Sequence, residues 1–159
     1  MRHRIVLGVG RAVVMATWIA SSAMAQDFSL QVGPPVAGQG QPAKSSLLVV
    51  RPGGCADPAT AQITATAEGI VDGARRSVPL RLSALQAPGV HAVPKDVAGR
   101  GVWVINLVGT CAGKAVGAIV SLVGSNPEYR REAVKYFPHP ATPSEIDASL
   151  KVLVPGSRQ

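Results

Sequence analysis

The chain has 159 residues, and its 16 Lys and Arg against 9 Asp and Glu give a formal net charge of +7. This length suffices for one modest hydrophobic core, and we expect no second domain within it. With only two Trp, two Tyr and two Phe, and with cations spread along the chain, the composition disfavours a nucleic-acid-binding surface, in which basic residues cluster and aromatics interleave. We therefore expect no nucleic-acid partner.

The first 25 residues have the features of a secretory signal peptide. Three arginines and no acidic residue flank an apolar stretch at 12–20, and Ala23 and Ala25 supply the small residues of a cleavage site. A stretch this short cannot cross roughly 30 Å of hydrocarbon at about 1.5 Å per residue. We expect a mature chain that starts at Gln26, is periplasmic or secreted, and has no stable transmembrane anchor.

Removal of the signal peptide changes the chemistry of the chain. Thirteen Lys and Arg then face 9 Asp and Glu, a charge of +4, and all three Met are lost. Two cysteines remain, Cys55 and Cys111, and such a pair in an oxidising compartment forms a disulfide. Closing a loop of about 56 residues stabilises the fold by roughly 4 kcal/mol. A redox role is disfavoured because no C-x-x-C spacing is present.

The segment 26–44 is rich in Gly, Pro and Gln and is expected to form a flexible leader. Alternation at 28–32 leaves a short edge strand open as the alternative. The segment 45–124 then contains short β-favouring runs separated by turn signals. Their number and spacing predict an all-β fold, an antiparallel immunoglobulin-like β-sandwich with a short helical C-terminal segment.

Individual runs of the 45–124 core carry more specific expectations. Alternation at 62–68 predicts a half-buried strand, and Pro79 predicts that its strand lies at a sheet edge. The run 102–110 is apolar on both faces, which predicts a central strand. Trp103 on this strand is expected to pack in the core around the cysteine bridge, with ligand stacking as the alternative.

The segment 125–159 differs in character from the core. Asn126-Pro127-Glu128 is typical of a helix start, and we expect a short helix to about Tyr136. The spacing of Thr142 and Glu145 predicts a capping box and one or two helical turns through Leu150. The last apolar residues, 151–154, are expected to form a final strand.

Candidate functional residues are few. His91 and His139 are the histidines of the mature chain and would be the ligands of a metal site, for which a carboxylate from Asp96 or Glu145 would be needed to reach three or four ligands. The G-x-S-x-G motif of hydrolases is absent, and no cofactor motif is found. A group of aromatic and basic residues could contact a partner or an anionic lipid surface, with a solvated helix face as the alternative, namely Tyr129, Arg130, Arg131, Tyr136 and Phe137.

Two stretches carry a family resemblance. Ala87-Pro88-Gly89-Val90-His91-Ala92-Val93, followed by Gly101-Val102-Trp103-Val104-Ile105-Asn106-Leu107, resembles the signature of YtkA-like bacterial extracytoplasmic domains. The resemblance implies a small immunoglobulin-like sandwich, in a family some of whose members are associated with metal handling or oxidase maturation. His91 stands where an aromatic residue is usual, and the cysteine pair is not part of the pattern. No functional residue is carried over.

These observations lead to one hypothesis and one alternative. We expect an exported, non-enzymatic β-sandwich module of the bacterial envelope that binds or assists another envelope protein. The alternative is a small ligand or metal carrier in the periplasm. The sequence identifies neither the partner nor the oligomeric state.

Overall fold

The computed structural model describes residues 27–35, 45–96, 99–123 and 128–154. The predicted signal peptide, 1–25, lies outside the described residues, as does 36–44 of the predicted leader. The described residues form nine strands and one α-helix, listed in chain order as β1 (Ser29–Gly33), β2 (Ser46–Gly53), β3 (Gln62–Val71), β4 (Ala74–Pro79), β5 (Ser83–Ala84), β6 (His91–Pro94), β7 (Val102–Cys111), β8 (Lys114–Leu122), β9 (Val134–Phe137) and α1 (Pro143–Leu153).

The strands form two antiparallel sheets. A four-stranded sheet has the order β1-β2-β6-β5, and a five-stranded sheet has the order β4-β3-β7-β8-β9. Buried side chains from both sheets form one core between them. The prediction of an antiparallel two-sheet fold with a short C-terminal helix is therefore confirmed.

Strand β7 is central, as its two apolar faces predict. Its inner face places Ile105 and Leu107 in the core between the sheets, where both are fully buried. Their cross-strand partners on β3 are the small Ala67 and Ala65, so large and small side chains alternate across the pair. Val104, on the outer face, is also fully buried, because α1 covers that side of the sheet.

The helix α1 begins at the predicted capping box. The Thr142 hydroxyl accepts the backbone N–H of Glu145, while the Glu145 carboxylate accepts the backbone N–H of Thr142 at 2.7 Å. Ile146 and Leu150, four residues apart, lie on one face of the helix and are buried against the outer face of the five-stranded sheet. The helix therefore forms a third layer.

A charged network holds α1 to the edge of the five-stranded sheet. Glu68 on β3 is buried, and its carboxylate accepts hydrogen bonds from Ser77 Oγ at 2.7 Å and from Arg75 at 3.2 Å. Arg75 also pairs with Asp147 on α1. The edge strand β4 thus connects a buried carboxylate to the helix. Its position at the edge confirms the prediction made from Pro79.

The cysteine bridge is present and joins the two sheets. Cys55 follows β2 of one sheet, Cys111 ends β7 of the other, and their Cα atoms are 6.1 Å apart. Trp103 is buried, as predicted, with its cross-strand partner Gly69 beneath the ring. It does not pack around the bridge, because eight residues of strand separate it from Cys111 by roughly 26 Å.

Three local predictions differ from the structure. Part of the predicted leader belongs to the sheet, because β1 pairs with β2 along five residues, which confirms the edge-strand alternative. In place of the helix predicted to about Tyr136, residues 131–133 form a 3-10 turn and 134–137 form β9. The final strand predicted at 151–154 is wrong, because α1 continues to Leu153.

No helix within the described residues is both long enough and apolar enough to span a lipid bilayer.

Candidate functional site

A groove of about 670 Å³ opens along one side of the sandwich, between β1 and the segment that contains β9. Strand β1 is an edge of the four-stranded sheet, and β9 is an edge of the five-stranded sheet. The groove is therefore the place where the two sheets meet without closing. Its apolar and aromatic lining is contributed mainly by Phe28, Leu30, Val32, Val116, Tyr136 and Phe137.

The alternation of β1 explains how this strand lines the groove. Phe28 and Leu30 point into the core and are 7% and 4% exposed, while Ser29 and Gln31, which alternate with them, are exposed. Gly109 on β7 lies beneath these side chains, and a Cβ there would stand 2.6 Å from Leu30 Cδ2. A glycine at this position therefore lets β1 lie close against the five-stranded sheet.

Two tyrosines cross the groove and hydrogen-bond to the same residue of β1. The Tyr129 hydroxyl donates to the Val32 carbonyl at 2.9 Å, and the Val32 N–H donates to the Tyr136 hydroxyl at 3.4 Å. Burial is the main cause that raises the pKa of Tyr129, and Tyr136 and Glu132 add to the effect while Arg131 opposes it. The phenol of Tyr129 therefore stays protonated and remains a donor.

Arg131 supplies the charged part of the groove wall. Within the described residues it takes part in no ion pair, whereas its neighbour Arg130 lies 3.9 Å from the Glu132 carboxylate. Lys135 on β9 is exposed, but it does not line the groove, and strand alternation places its side chain on the face of β9 opposite Tyr136. The groove wall is therefore positive at Arg131 next to an apolar floor, and no carboxylate among the described residues competes with an anionic group for its guanidinium.

The structure brings together four of the five predicted partner-contact residues. Tyr129, Arg131, Tyr136 and Phe137 line the groove, whereas Arg130 does not. The opposite wall, which is β1, was not predicted as part of a site. The alternation at 28–32 was the available signal, but the surrounding Gly, Pro and Gln favoured a leader.

The two candidate metal ligands lie in different parts of the fold. His91 is half-buried in β6 of the four-stranded sheet, where burial lowers its pKa. His139 follows β9 of the other sheet, with Nδ1 2.9 Å from the Pro140 carbonyl and Nε2 3.7 Å from the Glu145 carboxylate. In the parts of the chain that the structure describes, no three His, Cys, Asp or Glu side chains are grouped to hold a metal ion.

Comparisons with known proteins returned no match. The chain fits no protein-family model, and neither the curated proteins nor the solved structures contain a significant match to it. The geometry of the groove is therefore the basis for assigning a function.

Proposed function

We propose that the protein is an exported, non-enzymatic binding module of the bacterial envelope that holds another envelope protein in the groove between β1 and β9. The observation that carries the proposal is the groove itself, where two sheet edges, an aromatic floor and Arg131, which forms no ion pair with another described residue, meet. Concave apolar surfaces with a few placed polar groups are typical of binding sites. The module acts by holding its partner, without turnover.

We further infer that the two sheets form an immunoglobulin-like sandwich. In that fold one sheet has the order A-B-E-D and the other contains C-F-G. With β1 taken as A, the order β1-β2-β6-β5 corresponds to A-B-E-D, and β3-β7-β8 corresponds to C-F-G. The bridge between the B and F strands supports the same assignment. The tryptophan on F instead of C, strand β9 and helix α1 depart from the usual pattern.

Export is supported by two features. The basic and apolar residues before Gln26 have the pattern of a signal peptide, and Cys55 and Cys111 are oxidised to a disulfide, which persists in secreted and periplasmic proteins. Phe28 is buried, and β1 begins at Ser29. Cleavage after Ala25 would therefore leave β1 intact.

Site-specific photocrosslinking tests the proposed function. A benzophenone amino acid replaces Tyr136, which is 54% exposed at the groove, and in a control replaces Val78, which is 45% exposed at the far edge of the same sheet. We expect an envelope protein to crosslink from position 136 and not from 78. The envelope protein identified by crosslinking is then purified separately. It must bind the mature chain, and Arg131→Glu must weaken that binding. Equal crosslinking from both positions, or from neither, contradicts the proposal.

The alternative, a small-ligand carrier, is favoured by the size of the groove. A volume of about 670 Å³ lies within the range of roughly 300 to 1,000 Å³ found for small-molecule sites. Native mass spectrometry of the exported protein tests it. A bound compound that is lost when Tyr136→Trp narrows the groove supports the carrier, and a ligand-free mass opposes it. Elemental analysis of the same sample tests whether the protein carries a metal ion.

A further inference from the structure

The outer edge of β1 carries backbone groups that no second strand uses. Among the described residues β1 pairs only with β2. Val32 directs its N–H and C=O away from β2, toward the two tyrosines. Residues two apart on a strand share this direction, so the N–H and C=O of Leu30 lie on the same outer edge. Pro52, the partner of Leu30 on β2, has no N–H to offer it.

The reach of Tyr136 sets an upper limit on the width of the groove, and this limit admits one extended chain. Tyr136 reaches from β9 to the Val32 N–H, and a tyrosine side chain with its hydrogen bond spans up to roughly 10 Å, about twice the spacing of 4.8 Å between paired strands. The Tyr136 hydrogen bond is long, at 3.4 Å, and its side chain is 54% exposed. An incoming strand can therefore replace this hydroxyl at little cost.

The charge of the groove wall indicates which charge the occupant should carry. Among the described residues that line the groove, Arg131 is the one charged residue, and it forms no ion pair with another described residue. An arginine with free donors favours a carboxylate that can accept two parallel hydrogen bonds. An acidic side chain on the occupant would meet this requirement.

We propose that the groove takes an extended acidic segment of the partner protein, which adds as a further strand along the outer edge of β1, pairs with Leu30 and with the Val32 N–H while Tyr129 keeps its hydrogen bond to the Val32 carbonyl, and places a carboxylate on Arg131. This inference rests on the proposed function, because it names the kind of segment through which the partner is held. Strand addition gives affinity through the main chain, while the pockets beside it select side chains.

A displayed library of random twelve-residue peptides provides the probe. We expect selection on the disulfide-bonded mature chain to enrich peptides that carry Asp or Glu among alternating apolar residues. Binding should fall about tenfold with Arg131→Glu, since a charge-assisted hydrogen bond contributes about 1.5 kcal/mol or more. N-methylation of every second peptide amide should abolish binding when the methyl groups fall on the amides that face β1. The peptide methylated on the other set of alternate amides should still bind. Tyr136→Phe should bind the peptides at least as tightly as the unaltered chain, because the displaced hydroxyl is gone.

Amide hydrogen exchange identifies the strand addition within this chain. The Leu30 N–H should become at least tenfold better protected when an enriched peptide binds. The neighbouring Gln31 N–H is the internal control, because Gln31 faces β2 and should be unchanged.

Several results would overturn the inference. The enriched peptides could lack acidic residues, or selection on Arg131→Glu could enrich the same peptides equally well. Tyr136→Phe could lose binding, or the Leu30 N–H could stay unprotected in the complex. A concentration-dependent dimer that protects Leu30 without peptide would assign the edge to a second copy of this chain. If a partner crosslinks from position 136 but Leu30 stays unprotected, the proposed function stands and the strand addition fails. If the peptides bind but no envelope protein crosslinks, the proposed function fails.

Discussion

The Tyr129 hydroxyl donates a hydrogen bond of 2.9 Å to the Val32 carbonyl, 97 residues earlier in the chain. Through this contact the segment after β8 reaches the edge of the N-terminal strand, and the two walls of the groove are held at a defined separation. The same residue, Val32, also donates to Tyr136. The two tyrosines differ in burial, which allows their contributions to be separated.

Tyr129→Phe should lower the free energy of unfolding by about 1 kcal/mol, because the Val32 carbonyl loses its donor in a partly buried position. Tyr136→Phe is the matched control, and its exposed, longer hydrogen bond predicts a change within about 0.5 kcal/mol. Denaturant unfolding of both variants measures the difference. Equal effects would show that the Tyr129 hydrogen bond does not hold the groove walls together.

Gly117→Ala should destabilise the contact between β8 and the segment before α1. A Cβ at position 117 would lie 2.8 Å from the His139 carbonyl oxygen and 2.8 Å from the Ala141 backbone nitrogen, so the backbone must shift. We expect a cost of about 1 to 3 kcal/mol, measured by thermal unfolding, with faster amide exchange in α1. Gly33→Ala is the control, because a Cβ there meets nothing within 4 Å. Equal melting of the two variants would contradict this account.

Removal of the bridge should cost roughly 4 kcal/mol, the value that the chain-entropy model assigns to a closed loop of this length. The variant Cys55→Ala/Cys111→Ala, compared with the unaltered chain in denaturant with and without reductant, measures the loss. Reductant should leave the double variant unchanged. Intact-mass measurement should show a gain of two hydrogens when the exported protein is reduced, and no gain would rule out the bridge in the exported form.

The capping box of α1 predicts a dependence of stability on pH. The Thr142 backbone N–H is the main cause that lowers the pKa of Glu145 below its ordinary value of 4.5, and the Thr142 hydroxyl and His139 contribute. A lowered carboxyl pKa means that Glu145 stabilises the fold above pH 4.5, and that this contribution is lost as the pH falls through the lowered value. The stability difference between the unaltered chain and Glu145→Gln should therefore shrink from pH 6 to pH 3. A difference that is constant over this range would contradict the pairing.

Processing of the exported protein should leave Gln26 as the first residue. N-terminal sequencing of protein recovered from the periplasm or medium measures this directly. Ala23→Asp/Ala25→Asp should block cleavage, because the site needs small residues at both positions. Export of the chain with Met1 still attached would refute the signal-peptide prediction.

The sequence predicted an element correctly where a pattern among neighbouring residues was enough to define it. Strand β7 was predicted because a run that is apolar on both faces needs cover on both sides, and the inner core and α1 supply it. The capping box was predicted because its two hydrogen bonds join residues only three apart. Both features depend on neighbours in the chain.

Strand β9 was not predicted, because its four residues are too few to show a period and the charged residues before it resemble a helix start. Its pairing with β8, with Phe137 opposite Gly117, decides its conformation. Helix α1 likewise extends beyond Leu150, because Leu153 continues the face that packs on the sheet. Tertiary contacts outweighed local propensity in both cases.

The sequence by itself determined the antiparallel two-sheet class, the cysteine pair and the start of α1, because alternation, turn residues and capping chemistry act over a few neighbouring positions. Only the tertiary structure decided that β1 and β9 are both unpaired edges and that they face one another across a groove. The order of strands in a sheet depends on which distant segments pair, and no local pattern encodes it. Tyr129 and Val32 therefore meet through the fold, at a place that neither residue predicts alone.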